Sequence, residues 1–226
     1  PKTNLATQII SADATVLGKF YFNDNRTPIS FDEIPTEMIE ALIATEDERF
    51  YSHSGIDFRG TARAVFYFGK KGGASTITQQ LARQLFTGVR SRNTFEAITQ
   101  KIKEWVIAIR LERRYTKNEI ITMYLNIYDF NYNADGLRSA SSIYFSKKPI
   151  ELDLSESAML VGMLKNSSLY NPLRRPEMVR SRRNIVYQQM LRNGLIDEKE
   201  RDSLAALPIK LDFNPQSHRE GIATYF

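Results

Sequence analysis

The segment from Pro35 to Gly55, PTEMIEALIATEDERFYSHSG, indicates the fold class of this chain most clearly. Pro35 suits the first turn of a helix, and Gly55 suits the residue at which a helix ends. Between them, Ile39, Ile43 and Glu46 recur at the spacing of one helical face. The spacing therefore predicts an amphipathic helix whose core-facing stripe includes a carboxylate.

A carboxylate between Ile43 and Phe50 on a core-facing stripe has two explanations that the residues alone leave open. Desolvation raises the pKa of a carboxylate, which would suit Glu46 to act as a general acid or base. A glutamate that is buried beside an arginine would instead be structural. His53 also has a structural explanation, because a histidine near a helix C-terminus interacts favourably with the helix dipole.

Helical spacing continues through most of the 226 residues, so the predicted fold class is mainly α. A β-hairpin is expected first, because β-branched and aromatic residues flank a turn at 11–14. The later helices are predicted at 57–68, 75–86, 94–114, 116–127, 135–145, 154–165, 176–193 and 197–205. The predicted organisation is an N-terminal hairpin or linker at 1–30, a main domain at 31–207 and a C-terminal linker at 208–226.

The composition excludes several classes of site. The chain has no cysteine and two histidines, which excludes disulfides, a cysteine nucleophile and a multi-histidine metal site. No run of about 18 apolar residues occurs, so no segment is predicted to span a bilayer. Because the sequence begins with Pro1 rather than Met, we expect it to be part of a longer protein. The net charge of +5 favours anionic partners such as phosphates, nucleic acid or an acidic membrane surface.

A second candidate site begins at Gly72, where glycines lead into Ser75 and then into Gln79 and Gln80. The free N–H groups at the start of a helix can bind phosphate. The segment is not a P-loop, because the Gly-Lys-Ser/Thr ending is missing. An ordinary N-cap at Ser75 explains the same residues, so both interpretations remain open.

A third candidate lies on the helix predicted around Lys101. The apolar stripe of this helix consists of Ile98, Ile102, Trp105, Val106 and Ile109. Beside the stripe runs a seam of small and charged residues, namely Ala97, Lys101, Glu104 and Ala108. The alanines would let another element approach a cation and a carboxylate, although a solvated Lys–Glu pair at i, i+3 is the alternative explanation. Basic residues nearby, Arg83 among them, would suit a pyrophosphate ligand.

Five motifs in order resemble those of the peptidoglycan glycosyltransferases of family 51. These are the glycan-polymerising domains of class A penicillin-binding proteins and the monofunctional transglycosylases. The motifs lie at Glu46–Gly55, Gly73–Leu81, Lys101–Glu104, Lys117–Asn126 and Leu154–Pro172, and the resemblance extends over most of residues 5–205. The chain departs from the usual pattern at Arg83, Gln84, Glu96, Gln100, Asn131, Leu164 and Ser167. Arg90 or Arg92 would substitute for an arginine that is missing at position 96.

The resemblance implies a lysozyme-like, mainly α-helical domain with a cleft between a globular head and a membrane-facing jaw at 57–72. It implies that Glu46 is the general base and that Glu104 assists departure of the leaving group. The residues implied to bind the substrate and its pyrophosphate are Ser75, Gln79, Gln80, Arg83 and Lys101. Supporting roles are implied for Asp47, His53 and Asn126.

The implied substrates are lipid II, a disaccharide-pentapeptide on undecaprenyl pyrophosphate, and the growing glycan chain. The implied reaction is an inverting transfer that makes β-1,4 linkages at the outer, periplasmic face of the cytoplasmic membrane. The bacterial membrane surface is the expected partner, moenomycin is the expected inhibitor, and nucleic acid is not expected to bind. Mg²⁺ or another divalent cation is expected to assist the pyrophosphate, with no organic cofactor.

Two other functions are compatible with parts of the sequence. A lytic glycosidase would share the lysozyme-like fold and a glutamate at a helix end, but would not need the cations at Lys101 and Arg83. A helix-turn-helix nucleic-acid binder would use Ser75–Leu85 as its recognition helix, but this leaves Glu46 and Glu104 without a role.

Overall fold

The computed structural model describes residues 7–10, 12, 16–20, 26–66, 75–88, 91 and 93–215. The described part contains nine α-helices and one antiparallel hairpin, so the mainly α prediction is confirmed. The hairpin pairs β1 (Thr7–Ile10) with β2 (Val16–Phe20). The helices are α1 (Thr36–Glu46), α2 (Phe58–Phe66), α3 (Ile77–Ala82), α4 (Thr94–Glu112), α5 (Lys117–Ile127), α6 (Gly136–Phe145), α7 (Leu154–Met163), α8 (Pro176–Arg192) and α9 (Glu198–Ala206). No helix in these ranges is both long enough and apolar enough to cross a bilayer.

Parts of the sequence prediction lie outside the described residues. The jaw predicted at 57–72 is described only as far as Phe66, the last residue of α2. Residues 67–74, which include the rest of this predicted jaw and the glycines at 72–73, lie outside, as do Arg90 and Arg92.

Local capping explains why several helices begin close to their predicted positions. At α5, the Thr116 hydroxyl accepts the N–H of Glu119, and the Glu119 carboxylate accepts the N–H of Thr116. Asp153 and Glu156 form the same reciprocal pair at α7. Such pairs satisfy N–H groups that have no partner within the helix.

The core is built around α7, in which every residue from Ser157 to Met163 is buried. α1 and α8 pack against α7, while α3 packs against α4 and α5. Buried apolar residues of α1, α3 and α8 therefore all belong to this core. This arrangement brings together residues that are far apart in the sequence.

The helix predicted from Pro35 to Gly55 is shorter in the structure, where α1 ends at Glu46. Asp47 has a φ of −161°, and Phe50 begins a separate 3-10 turn. Gly55 has a φ of +90°, and a Cβ atom there would lie 2.8 Å from the backbone carbonyl carbon of Ala108. Gly55 is thus needed for the close approach of this loop to α4 and does not end α1.

In α4, much of the apolar stripe faces solvent and the seam of small and charged residues faces the protein, which is the reverse of an ordinary amphipathic helix. Ile98, Ile102 and Val106, from the apolar stripe, are 55%, 55% and 46% exposed. The buried side is the seam, where Glu104 and Ala108 face the protein. The small residues of the seam permit close packing, as the contact between Gly55 and Ala108 demonstrates.

The predicted C-terminal linker has no helix or strand between residues 208 and 215, but this part packs against α6. The Asp212 N–H donates to the Tyr144 carbonyl at 3.0 Å, and the Phe213 ring lies against the rings of Tyr132 and Tyr144. Arg183, buried on α8, donates to the Pro208 carbonyl at 3.2 Å. The chain is therefore held to the domain as far as this segment.

Candidate active site

An open cavity of about 260 Å³ lies where α1 ends, beside the starts of α2 and α3 and the end of α8. Its lining is mostly polar and includes Glu46, Arg49, Asp57, Ser75, Gln189 and Arg192. Arg49 and Asp57 form an ion pair in this wall. Burial is the largest influence on Asp57 and opposes its ionisation. The hydrogen bonds from Arg49 and from the N–H of Gly60, together with the charge of Arg49, outweigh burial, so the pKa of Asp57 lies below its ordinary value.

Glu46, the last residue of α1, faces inward as its spacing predicts, with a side chain that is 14% exposed. Its Oε2 atom accepts a hydrogen bond from Nε2 of Gln80 at 2.9 Å. Its Oε1 atom lies 3.4 Å from Nη2 of Arg182. The carboxylate is therefore held by one neutral donor and one longer ion pair while still lining the cavity.

The Gln80 amide is itself held from the core side. Its Oε1 atom accepts a hydrogen bond of 2.9 Å from the Tyr124 hydroxyl on α5. Burial, followed by the charge of Glu46, raises the pKa of Tyr124 well above its usual value of 10, while Arg83 opposes this shift. The Arg83 side chain thus lies near the same network, although it forms no hydrogen bond with the described residues.

Arg182 reaches Glu46 because Gly162 leaves room for it. A Cβ atom on Gly162 would lie 3.1 Å from Cγ of Arg182, whose Nε donates to the Gly162 carbonyl at 3.3 Å. The guanidinium also lies 5.8 Å from the centre of the Tyr170 ring. Sequence analysis did not identify Arg182, and the available signal was a glycine inside a buried helix together with an arginine-rich α8.

Lys101 is the centre of a second network on the other side of α3. Its Nζ donates to Oγ of Ser75 at 2.9 Å, Oε1 of Gln79 at 3.0 Å and Oε2 of Glu104 at 3.1 Å. Glu104 is buried, and Lys101 is partly buried. The solvated-pair explanation is therefore wrong, because the cation is fixed by three acceptors in a withdrawn position.

Asp47 and His53 fix the loop between α1 and the start of α3. The Asp47 carboxylate accepts from Nε2 of His53 at 2.9 Å and from the N–H of Ile77 at 3.0 Å. Because the N–H of Gly55 donates to Nδ1 of His53, Nε2 is the nitrogen that carries hydrogen towards Asp47. These two candidate residues therefore hold this loop to the start of α3, and neither is hydrogen-bonded to Glu46 or Glu104.

The start of α3 is not an open phosphate site. Its N-cap is Thr76, which accepts from the N–H of Gln79 at 3.1 Å, so the predicted N-cap at Ser75 is wrong by one residue. The N–H of Ile77 is taken by Asp47. Two of the N–H groups at this helix start are therefore already bonded, and the polar side chains beside them are Ser75 and Lys101. A π-helical turn, Arg83–Thr87, follows α3, a rare feature that often occurs at functional sites.

Asn126 lies apart from both networks. Its amide donates to the Ile29 carbonyl at 3.0 Å and accepts from the Ile29 N–H at 2.9 Å, as the backbone of a neighbouring β-strand would.

Two departures from the family pattern have structural partners. Gln100 accepts a hydrogen bond from the N–H of Ser91, and Glu96 accepts one from the Ser91 hydroxyl. Among the described residues, no group of three His, Asp or Glu side chains could hold a metal ion.

Asn131, one of the departures from the usual pattern, has a φ of 67°. Asparagine tolerates this left-handed backbone better than most residues do. Tyr132 and Asn133 continue the left-handed path, with φ values of 54° and 61°.

Comparisons with known proteins identify the family of this chain. Penicillin-binding protein 1A of Escherichia coli is 38% identical over 217 residues, and penicillin-binding protein 1F of Bacillus subtilis is 37% identical over 224 residues. The alignments cover 94% and 97% of this chain but only 25% and 30% of the relatives, so the chain spans about a quarter of their length. The crystal structure of penicillin-binding protein 1A from Haemophilus influenzae has a similar fold, with a TM-score of 0.53, 24% identity, and coverage of 94% of this chain and 22% of that one. The model of the transglycosylase family matches residues 13–191, and the chain therefore belongs to the transglycosylase family.

Proposed function

We propose that this chain is a peptidoglycan glycosyltransferase that polymerises lipid II into β-1,4-linked glycan strands. The observation that carries the proposal is the pair of withdrawn glutamates with different partners on the two sides of α3. Glu46 lines the cavity with a neutral donor on one oxygen, whereas Glu104 holds the Lys101 cation. Ser75 joins the two sides, because it lines the cavity and accepts from Lys101.

Glu46 is the proposed general base. It would accept the proton from the 4-hydroxyl of the acceptor sugar as that oxygen attacks C1 of the donor sugar. The new O4–C1 bond forms as the bond from C1 to the pyrophosphate oxygen breaks, and attack from the opposite face inverts the configuration. The cavity gives the acceptor a route to this carboxylate.

Lys101 and Arg83 are the proposed cations for the departing lipid pyrophosphate. A fixed ammonium stabilises charge that develops on the leaving oxygen without having to reorganise during the reaction. Glu104 assists by holding the Lys101 ammonium in place, together with Ser75 and Gln79. Gln80 acts on the other side of α3 and orients Glu46.

A divalent cation is part of the expected chemistry only as an aid to the pyrophosphate. The described residues offer no cluster of carboxylate or imidazole ligands for such an ion. The proposed steps are therefore assigned to side chains, and none of them depends on Mg²⁺.

The two alternatives fit the structure less well. The helix-turn-helix alternative is wrong, because all six residues of α3 are buried and the helix cannot enter a DNA groove. A lytic glycosidase has no need for an ammonium fixed by three side chains beside its acid.

The proposed location is the outer, periplasmic face of the cytoplasmic membrane, where the lipid-linked substrate is presented. The exposed apolar face of α4, with Ile98, Ile102 and Val106, supports contact with a membrane surface. Basic residues on the same helix, such as Lys103 and Arg110, are also exposed and would favour anionic lipid.

The test is incubation of the chain with labelled lipid II in detergent, followed by separation of polymer from substrate. Polymer that a muramidase digests to disaccharide units is the expected product, with no shortening of preformed glycan. The Glu46→Gln variant serves as the control for contaminating activity. Cleavage of preformed glycan without polymer formation would contradict the proposal and favour the lytic glycosidase.

A further inference from the structure

Tyr124 is fully buried on α5 and does not line the cavity, yet it is only two hydrogen bonds away from Glu46. Its hydroxyl donates to Oε1 of Gln80, and Nε2 of the same amide donates to Oε2 of Glu46. Both distances are 2.9 Å. The phenol therefore contacts the proposed base through one intermediate side chain.

We propose that Tyr124 is a positioning residue that fixes the orientation of the Gln80 amide and, through it, the Glu46 carboxylate. The inference rests on the proposed role of Glu46 as base. A glutamine amide has a donating end and an accepting end, and only one orientation turns the NH₂ group towards a carboxylate. In the reversed orientation, Oε1 would face an oxygen of Glu46, and the Tyr124 hydrogen would lose its acceptor.

The surroundings make this link stronger than one at the surface would be. Tyr124 is inaccessible to solvent and Gln80 nearly so, and a hydrogen bond left unmade in such a place cannot be replaced by water. Burial and the nearby Glu46 charge keep the phenol protonated, so the phenol remains a donor at neutral pH. Arg182, on α8, holds the other oxygen of the carboxylate.

A second buried tyrosine provides a comparison, because its hydroxyl has a different kind of partner. Tyr144, on α6, is also fully buried, but its hydroxyl donates to the backbone carbonyl of Phe130. That bond fixes a loop. The hydroxyl of Tyr124 instead binds a side-chain amide whose other end is bonded to the proposed base.

The two tyrosines supply a matched pair of variants. We expect Tyr124→Phe to lower kcat for lipid II polymerisation about 5- to 10-fold, the factor expected for one internal hydrogen bond, with little change in KM. Tyr144→Phe should leave both constants within twofold while lowering the melting temperature to a similar extent. Equal kcat values for the two variants would overturn the proposal and leave Tyr124 as a structural residue.

A double-mutant cycle tests whether the effect passes through Gln80. In a Gln80→Met background, the further change Tyr124→Phe should alter kcat less than twofold. A full 5- to 10-fold loss in that background would overturn the proposal, because Tyr124 would then act by another route. If Tyr124→Phe does not fold, the test rests on Gln80→Met alone. The proposal requires that this variant lose kcat by at least the factor expected for one hydrogen bond. A near-wild-type kcat would overturn it.

The wild-type chain separates this inference from the proposed function. If the wild-type chain does not polymerise lipid II, the proposed function fails and takes the positioning role with it. If wild type polymerises lipid II and the two tyrosine variants behave alike, only the role of Tyr124 fails.

Discussion

Glu46 and Glu104 are both withdrawn from solvent, yet their surroundings differ in charge. Glu104 shares a lysine at 3.1 Å, and that lysine is fixed by two further acceptors. Glu46 has a neutral amide at 2.9 Å, and its arginine lies at the longer distance of 3.4 Å. The difference indicates that burial alone does not assign a role. The carboxylate with the weaker cation lines the cavity, and the other one holds a cation in place.

The largest effect is expected at Glu46. Glu46→Gln should lower the rate of polymerisation about 10²–10⁴-fold, because an amide can hydrogen-bond to Gln80 and Arg182 but cannot accept a proton. Glu104→Gln should reduce the rate less, since Lys101 keeps Ser75 and Gln79 among its acceptors. The rates are measured with labelled lipid II, and Glu37→Gln, an exposed position on α1, is the matched control.

A near-wild-type rate in Glu46→Gln, together with a much lower melting temperature, would contradict the role of Glu46 as base in this comparison. Glu46 would then be the structural partner of Arg182, and Asp47 would be the nearest other carboxylate to examine as base.

The next largest effect is expected at Lys101. Lys101→Ala should weaken moenomycin binding about 10- to 150-fold, because it removes a charge-assisted contact worth roughly 1.5–3 kcal/mol. Calorimetry measures the loss, and Lys103→Ala removes an exposed lysine from the same helix as a control. An affinity equal to that of wild type would remove Lys101 from the proposed pyrophosphate site.

A smaller effect, on stability, is expected at Gly55, whose loop adjoins both networks. Gly55→Ala should lower the free energy of unfolding by about 2–3 kcal/mol, because it combines a positive φ with a backbone clash against Ala108. Gly194→Ala separates the two causes, since Gly194 has a φ of +71° with nothing within 4 Å. If thermal melting shows that the two variants are destabilised equally, the approach of the Gly55 loop to α4 is not tight.

The smallest effect on stability is expected at the outer face of α4. Replacing Ile98 and Ile102 with serine should change the free energy of unfolding by about 0.5 kcal/mol or less for each residue, because both side chains are already in solvent. Co-sedimentation with anionic vesicles should nevertheless decrease. Strong destabilisation without any loss of vesicle binding would mean that this face is covered by another part of the protein.

Local patterns predict much of this molecule, because helix spacing and capping act over a few residues. The inward direction of Glu46 and the i, i+3 pair of Lys101 and Glu104 follow from such patterns. The outward direction of Ile98 does not, since an apolar stripe on a soluble helix ordinarily faces the core. Which face of α4 turns inward is decided by the small residues that contact the Gly55 loop.

The residues around Glu46 could not be predicted from the sequence, because no local pattern indicates them. Tyr124 lies in an ordinary apolar helix pattern, and Arg182 lies in a run of basic residues on α8. Neither position has a local feature that points to position 46. Only the packing of α1, α3, α5 and α8 brings these side chains together.

The network around Glu46 also has a consequence for how the chain acquires activity during synthesis and refolding. Its members are separated by 34, 44 and 136 positions along the chain, so the last contact requires α8 to be made and docked. Contacts between distant residues form late, because the chain must lose the entropy of a long loop before these contacts can stabilise it. A chain that emerges only as far as α7 has most of its helices but lacks the arginine at Glu46. After dilution from denaturant, the recovery of enzymatic turnover should therefore trail the recovery of helical signal, and turnover becomes a measure of complete assembly.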